Sequence, residues 1–168
     1  MAVRKVLRYP HPLLKDPARP LGAADWEEAQ RVAMDLVDTM RSFPKCVGVA
    51  APQIGELVRI VAVDVSEHPK ATKSHGQLLL VNPKVVASSG AEVAREGCLS
   101  IPDLTANVRR ATHVVIEARE PDGSLRAIDT EGFEARCLLH ELDHLDGILF
   151  LDRVDSLATD VFRRKRYA

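Results

Sequence analysis

The sequence predicts an α+β fold in which mostly antiparallel strands pack around a central helix bearing an H-E-x-x-H motif, with an amphipathic helix near the N-terminus. Three observations predict it. A helical hydrophobic period occupies residues 25–42, a series of strand-length segments rich in β-branched residues follows, and helical spacing returns only at 133–147. Because strands do not alternate with helices, a doubly wound parallel sheet is disfavoured. The 168 residues are 46% hydrophobic, enough to build one sizeable core, and the expectation is a single catalytic domain over 1–168.

Each element has a local reason. Residues 9–22, YPHPLLKDPARPLG, hold four prolines and read as an extended lead-in with at most one short turn. Asp25 followed by Glu28 resembles a capping box. Trp26, Ala29, Ala33, Leu36, Val37 and Met40 then recur at helical spacing, and Phe43-Pro44 ends the helix, since a residue before proline avoids the helical region. CVGVAA at 46–51 and LVRIVAVDV at 57–65 are β-branched runs, the second apolar enough to be a buried strand. Polar residues 66–76 read as a surface loop. Strand-length pieces follow at 77–87, 91–97, 105–110, 113–120 and 124–132, with Pro121-Asp122-Gly123 as a turn. FEARCLLHELDHLDG returns to helix and Gly147 is a natural stop, while VFRRKRYA at 161–168 suggests one more helical turn.

Composition excludes several functions. Lys plus Arg is 23 and Asp plus Glu is 24, for a net charge of −1, which argues against a general DNA or membrane binder. Aromatics are 4%, too few for a base-stacking platform. Cys46, Cys98 and Cys137 cannot all pair and form no C-x-x-C, so a reducing compartment, the cytoplasm, is expected. Arg4, Lys5 and Arg8 are followed by no long apolar run, so neither a secretory leader nor a membrane span is expected.

The sharpest chemical signal is His140-Glu141-Leu142-Asp143-His144. Residues four apart lie on one helix face, so both imidazoles can ligate one metal ion, with Glu141 beside them as general acid and base. The bland alternative is two exposed histidines on a charged helix. Against it, Ala135, Leu138, Leu142 and Leu145 form one apolar stripe, and Phe133, Cys137, His140 and His144 form a second face. A helix apolar on most sides is buried, and two buried histidines with a glutamate need a partner such as a metal. Cys98 in EGCLS is the best third ligand, because a thiolate binds metals strongly and two His, one Cys and a water leave an open position. Cys137, one turn before His140, is the rival, although a small buried hydrophobe is its blander role. Cys46 reads as core or strand packing. In Gly48-Val49-Ala50-Ala51-Pro52-Gln53, small residues permit a close approach and Gln53 offers an amide donor, against the plain alternative of a tight structural turn.

Together these pieces resemble the peptide deformylases, which carry G-x-G-x-A-A-P-Q, E-G-C-x-S and Q-H-E-x-D-H motifs in this order. Here they stand as CVGVAAPQ at 46–53, EGCLS at 96–100 and LHELDH at 139–144, and the resemblance extends over nearly the whole chain. It implies removal of formate from N-formylmethionine at the start of newly made polypeptides, with one divalent metal per chain, Fe(II) in the cell and Zn, Ni or Co also admissible. It implies Cys98, His140 and His144 as ligands and Glu141 as general acid and base. Gln53 and the backbone N–H of Leu99 would hold the developing oxyanion. Gly48 would bind the formamide N–H. The peptide would lie as an added strand between 46–49, including Val47, and 94–97, including Glu96 and Gly97. Arg110 is the implied ion-pair partner of Glu96. The plain reading of the basic end Arg163-Arg164-Lys165-Arg166 is a solvated terminus, and the resemblance implies contact with the ribosome instead. Three positions depart from the pattern: Cys46 replaces the first glycine, Leu139 the glutamine before His140, and Arg136 an apolar residue near the pocket for the methionine side chain.

Two other classes stand beside this one. An H-E-x-x-H peptidase would take a third ligand downstream, where Asp146, Asp152, Asp155 and Asp160 are available but no His or Glu is. A non-catalytic binding protein on the same fold is suggested by Arg136 and Leu139, but such a chain would be free to lose Glu141.

Overall fold

The computed structural model describes residues 2–164. Two helices are α1 (Trp26–Ser42) and α2 (Gly132–Leu145). The strands are β1 (Gly48–Ala50), β2 (Ile60–Val63), β3 (Leu78–Ser89), β4 (Glu92–Cys98), β5 (Ile101–Arg110), β6 (His113–Arg119), β7 (Leu125–Glu131) and β8 (Val161–Arg163). Strands β1-β2-β3-β6-β7 form a five-stranded sheet and β4-β5-β8 a three-stranded one. Every pairing within them is antiparallel. Thus β1 and β4 are each the edge of a different sheet.

Strand β2 explains why the centre of LVRIVAVDV, Ile60–Val63, is continuously apolar. Its side chains alternate between two cores. Val61 and Val63 pack with Leu78, Leu80, Ile116 and Ile128 against Leu138, Leu142 and Leu145 of α2. Ile60 and Ala62 pack with Val49 and Val81 against Ala29, Val32, Ala33, Leu36 and Met40 of α1. The five-stranded sheet is therefore covered on both faces, and α2 lies centrally. A third cluster joins Leu14, Ile101, Ala106, Val108, Leu149 and Phe150 beneath the three-stranded sheet. Helix α2 ends where expected: Gly147 has φ +72°, and a β-carbon there would fall 2.4 Å from the Lys15 carbonyl oxygen.

Two local expectations are corrected. Asp25 does not cap α1 with its side chain. Its Oδ2 accepts from Gly22 N at 2.7 Å, closing the 3₁₀ turn Ala23–Asp25, and Glu28 turns to Arg19. Residues 161–163 form β8, not a helical turn. They pair with Leu104–Ala106 of β5, whose open edge supplies hydrogen bonds that an isolated turn cannot. Residues 165–168, the remainder of that expectation, lie outside the described residues. No helix among the described residues is long and apolar enough to cross a membrane.

Candidate metal centre and catalytic cleft

A cleft of about 430 Å³ opens between the two sheet edges, with α2 as its floor. It is lined by Val47, Gly48, Gln53, Glu96, Gly97, Cys98, Leu99, His140 and Glu141, so nearly all the residues singled out in the sequence meet on one surface. His144 lies just behind, 1% exposed.

Helical spacing puts His140 and His144 side by side, their rings 5.2 Å apart. Cys98 ends β4 at the two-residue turn into β5, and its Sγ lies 3.4 Å from His144 Nε2. One donor atom from each of Cys98, His140 and His144 falls within 4.8 Å of the others, all three buried. His144 Nδ1 and Glu141 Oε1 are buried without a hydrogen-bond partner among the described residues. Two imidazoles and a thiol converging this closely are the donor set of a divalent metal with borderline-to-soft ligands, so this trio could hold one. Burial, with cationic neighbours adding to it, holds the His144 pKa well below the ordinary value, which favours the neutral ligating imidazole.

Cys137, the rival ligand, is outside this trio. Burial raises its thiol pKa strongly, and it packs in the core as a small hydrophobe. Three of the four downstream acids are engaged elsewhere: Asp146 with Arg59, Asp152 with Lys15 and Asp160 with Asn107.

Glu141 is buried and its carboxylate rests against Gly48. Burial raises its pKa to about 7, with His140 and Arg110 opposing. Gln53 sits in the 3₁₀ turn Ala51–Ile54; its Oε1 accepts from Ala50 N at 2.9 Å, while Nε2 donates to Ser100 Oγ at 3.0 Å and faces Cys98 Sγ at 3.5 Å. Its amide is thereby fixed with the nitrogen toward the Cys98 side. Ser100, which orients it, is a residue that sequence reasoning missed, although it closes the EGCLS motif.

Behind His140 runs an ion-pair chain. Glu96 Oε1 lies 2.9 Å from His140 Nδ1. Arg110 grips Glu96 with Nε at 2.7 Å and Nη2 at 2.9 Å, and reaches Asp143 with Nη1 at 2.7 Å. Arg153 joins Asp143 from outside at 2.8 Å. Burial alone would raise the Glu96 pKa, but His140 and Arg110 outweigh it and hold it near 2. Glu96 is therefore a buried anion that orients a histidine, and not a free group facing substrate. Arg136 also bonds Glu96, at 2.7 Å, and donates to the carbonyls of Val108 and Glu92. Its charge is consumed at the cleft wall. Asp143, Arg153 and Arg136 in these roles were not foreseen.

Cys46 is half-buried: it packs against the core beside α1, as expected, and also lines the cleft. Its thiol donates to the Gly48 carbonyl at 3.4 Å, and burial pushes its pKa up to about 12. Phe133, also at the cleft, stacks on His68 from the 66–76 loop with centroids 4.2 Å apart.

Comparison with known proteins follows the same lines. Residues 3–160 match the family model described as polypeptide deformylase. A peptide deformylase of Thermomicrobium roseum is 41% identical over 160 residues, covering 95% of this chain and 90% of the relative. One of Dictyoglomus thermophilum is 38% identical over 160 residues, covering 94% and 98%. The crystal structure of a peptide deformylase from Legionella pneumophila superposes with a TM-score of 0.82 at 38% identity, covering 93% of this chain and 88% of that one.

Proposed function

The chain belongs to the peptide deformylase family, enzymes that hydrolyse the formyl group from N-formylmethionine, and from that premise we propose how its own residues carry the reaction. The observation that bears most weight is the convergence of Cys98, His140 and His144 donor atoms within 4.8 Å, beside a buried glutamate, at the floor of a cleft between two sheet edges.

A divalent metal held by Cys98, His140 and His144 would polarise the formyl carbonyl and make water a nucleophile near neutral pH. Fe(II) is the metal we assign in the cell, and Zn, Ni and Co suit the same donor set. Glu141 takes the proton from the attacking water and returns it to the departing amine; a pKa near 7 suits both directions. The Gln53 amide and the backbone N–H of Leu99 donate to the oxygen where negative charge develops. The Gly48 carbonyl accepts the formamide N–H, for which the Cys46 thiol must yield or share its acceptor. The peptide extends between Val47 and Gly97, adding a strand to the open edges of β1 and β4. Phe133 and the stem of Arg136 wall the pocket for the methionine side chain.

The chain acts as one catalytic domain over 1–168, a reading supported by both sheets contributing walls to one cleft. Its partners are N-formylmethionyl nascent chains, which puts it in the cytoplasm. The basic C-terminal end would meet the ribosome, with Arg163 exposed on β8. The test is formate release from an N-formylmethionyl peptide by metal-loaded protein, beside cleavage of the same peptide without the formyl group. Formate release alone is expected. Backbone cleavage of the unmodified peptide would instead favour an H-E-x-x-H peptidase.

A further inference from the structure

The walls of the cleft carry an uneven charge. Its carboxylates, Glu96 and Glu141, lie buried at the floor, and Glu96 is neutralised by Arg110 and Arg136. The exposed rim holds cations on both sides: Arg95 and Arg164 on the three-stranded sheet, Lys45 and Lys70 opposite. Among the ion pairs of the described residues none includes any of these four. The net charge of −1 conceals this, because the balancing acids lie elsewhere.

Two of the four are held in place. Arg95 stacks on the Phe162 ring, its Cζ 3.7 Å from the centroid, with Nε 3.3 Å from Asn107 Oδ1. Arg164 follows β8 and is anchored by its N–H to the Asp103 carbonyl at 2.9 Å. Its guanidinium crosses the bare backbone of Gly97: a β-carbon there would fall 1.9 Å from Nη2. Gly97 belongs to the edge along which the peptide would extend. A guanidinium there, with no acid of its own among the described residues, is a ready fork for a carboxylate.

We propose that Arg164, backed by Arg95, Lys45 and Lys70, forms an anion subsite that selects acidic side chains in the residues just after the N-formylmethionine. The proposal rests on the deformylase reading above. Arg164 reads the carboxylate directly, and the other three cations raise its local concentration through the field of the rim. The preference enters through binding, because the rim lies away from the bond that breaks.

The experiment compares kcat/KM on C-terminally amidated formyl-Met peptides carrying Asp, Asn or Lys at the second or the third residue. Amidation removes the terminal carboxylate, so any effect belongs to the side chain. Asp is expected to exceed Asn about threefold to tenfold at one of the two positions, mainly through KM, and the advantage should shrink in 1 M salt. Arg164→Gln should bring the Asp/Asn ratio toward one, and Arg164→Glu should move the preference toward Lys. An Asp/Asn ratio of one or below at both positions, or a ratio indifferent to both substitutions, overturns the subsite. Failure to deformylate even the Asn peptides is a different result and overturns the deformylase reading itself.

Discussion

Gly48 and Glu141 are in direct contact: a β-carbon on residue 48 would stand 2.7 Å from Glu141 Oε2 and 3.1 Å from its Cγ and Cδ. A strand edge thus forms the seat of the carboxylate proposed to move protons. Gly48→Ala overpacks this seat, and the buried Glu141 yields by leaving its position. The expected cost is about 1–3 kcal/mol of stability, by denaturant titration. Formate release should fall at least about tenfold while metal content is kept. Wild-type activity in this variant would show that the seat is immaterial.

The two buried cysteines should separate cleanly. Cys98→Ser is expected to lower metal affinity by more than about a hundredfold, since a hydroxyl is a poor substitute for a thiolate. Cys137→Ser should cost stability but leave the metal bound, because Cys137 packs in the core outside the ligand trio. Metal content after dialysis checks both. Loss of metal from Cys137→Ser alone would reverse the assignment.

Arg110 joins Glu96 to Asp143 and is itself buried. Arg110→Ala leaves two carboxylates with one cation fewer, a change that costs about 3–5 kcal/mol when a buried pair is broken. Activity should drop as His140 loses the firm orientation that Glu96 gives it. In a double-mutant cycle with Glu96→Gln, the two substitutions should be strongly non-additive. Simple additivity would remove the pair from the account.

Asp35 governs a pH response distant from the cleft. Burial raises its carboxyl pKa, but Arg4 Nη1 at 2.9 Å and the Ala2 N–H at 2.8 Å outweigh this and hold it below 3.8. A lowered folded pKa contributes stability that is complete above the unfolded value and is lost as pH falls through the folded one. Asp35→Asn should therefore flatten the fall in Tm between about pH 5 and 2 and lower Tm at pH 7. An unchanged pH profile would contradict this.

Much of the fold and site could be read in the sequence because those parts are local. Helical spacing gave α1 and α2, the apolar run at 57–65 gave a strand buried on both faces, and H-E-x-x-H placed two imidazoles on one face. The rest depended on partners far apart in the chain. Asp25 looked like a helix cap, yet Gly22 and its turn claimed the carboxylate. Three residues of β8 looked helical, yet the edge of β5 claimed their backbone. Arg136 looked like a charge misplaced in an apolar pocket, but Glu96 and two carbonyls from 28 and 44 residues away satisfy it. No periodicity announces such partners. Ser100 was legible only as the last letter of a motif, and its hold on Gln53 needed coordinates.

The central claim is that Glu141 moves protons and does not hold the metal. Glu141→Gln keeps the size of the side chain and removes its basicity, so it tests this most directly. Metal per chain, measured after anaerobic loading and dialysis, should equal that of the wild type, while formate release from an N-formylmethionyl peptide falls by about 10²–10⁴-fold. A variant that loses its metal, or that keeps more than about a tenth of wild-type turnover, would contradict the account.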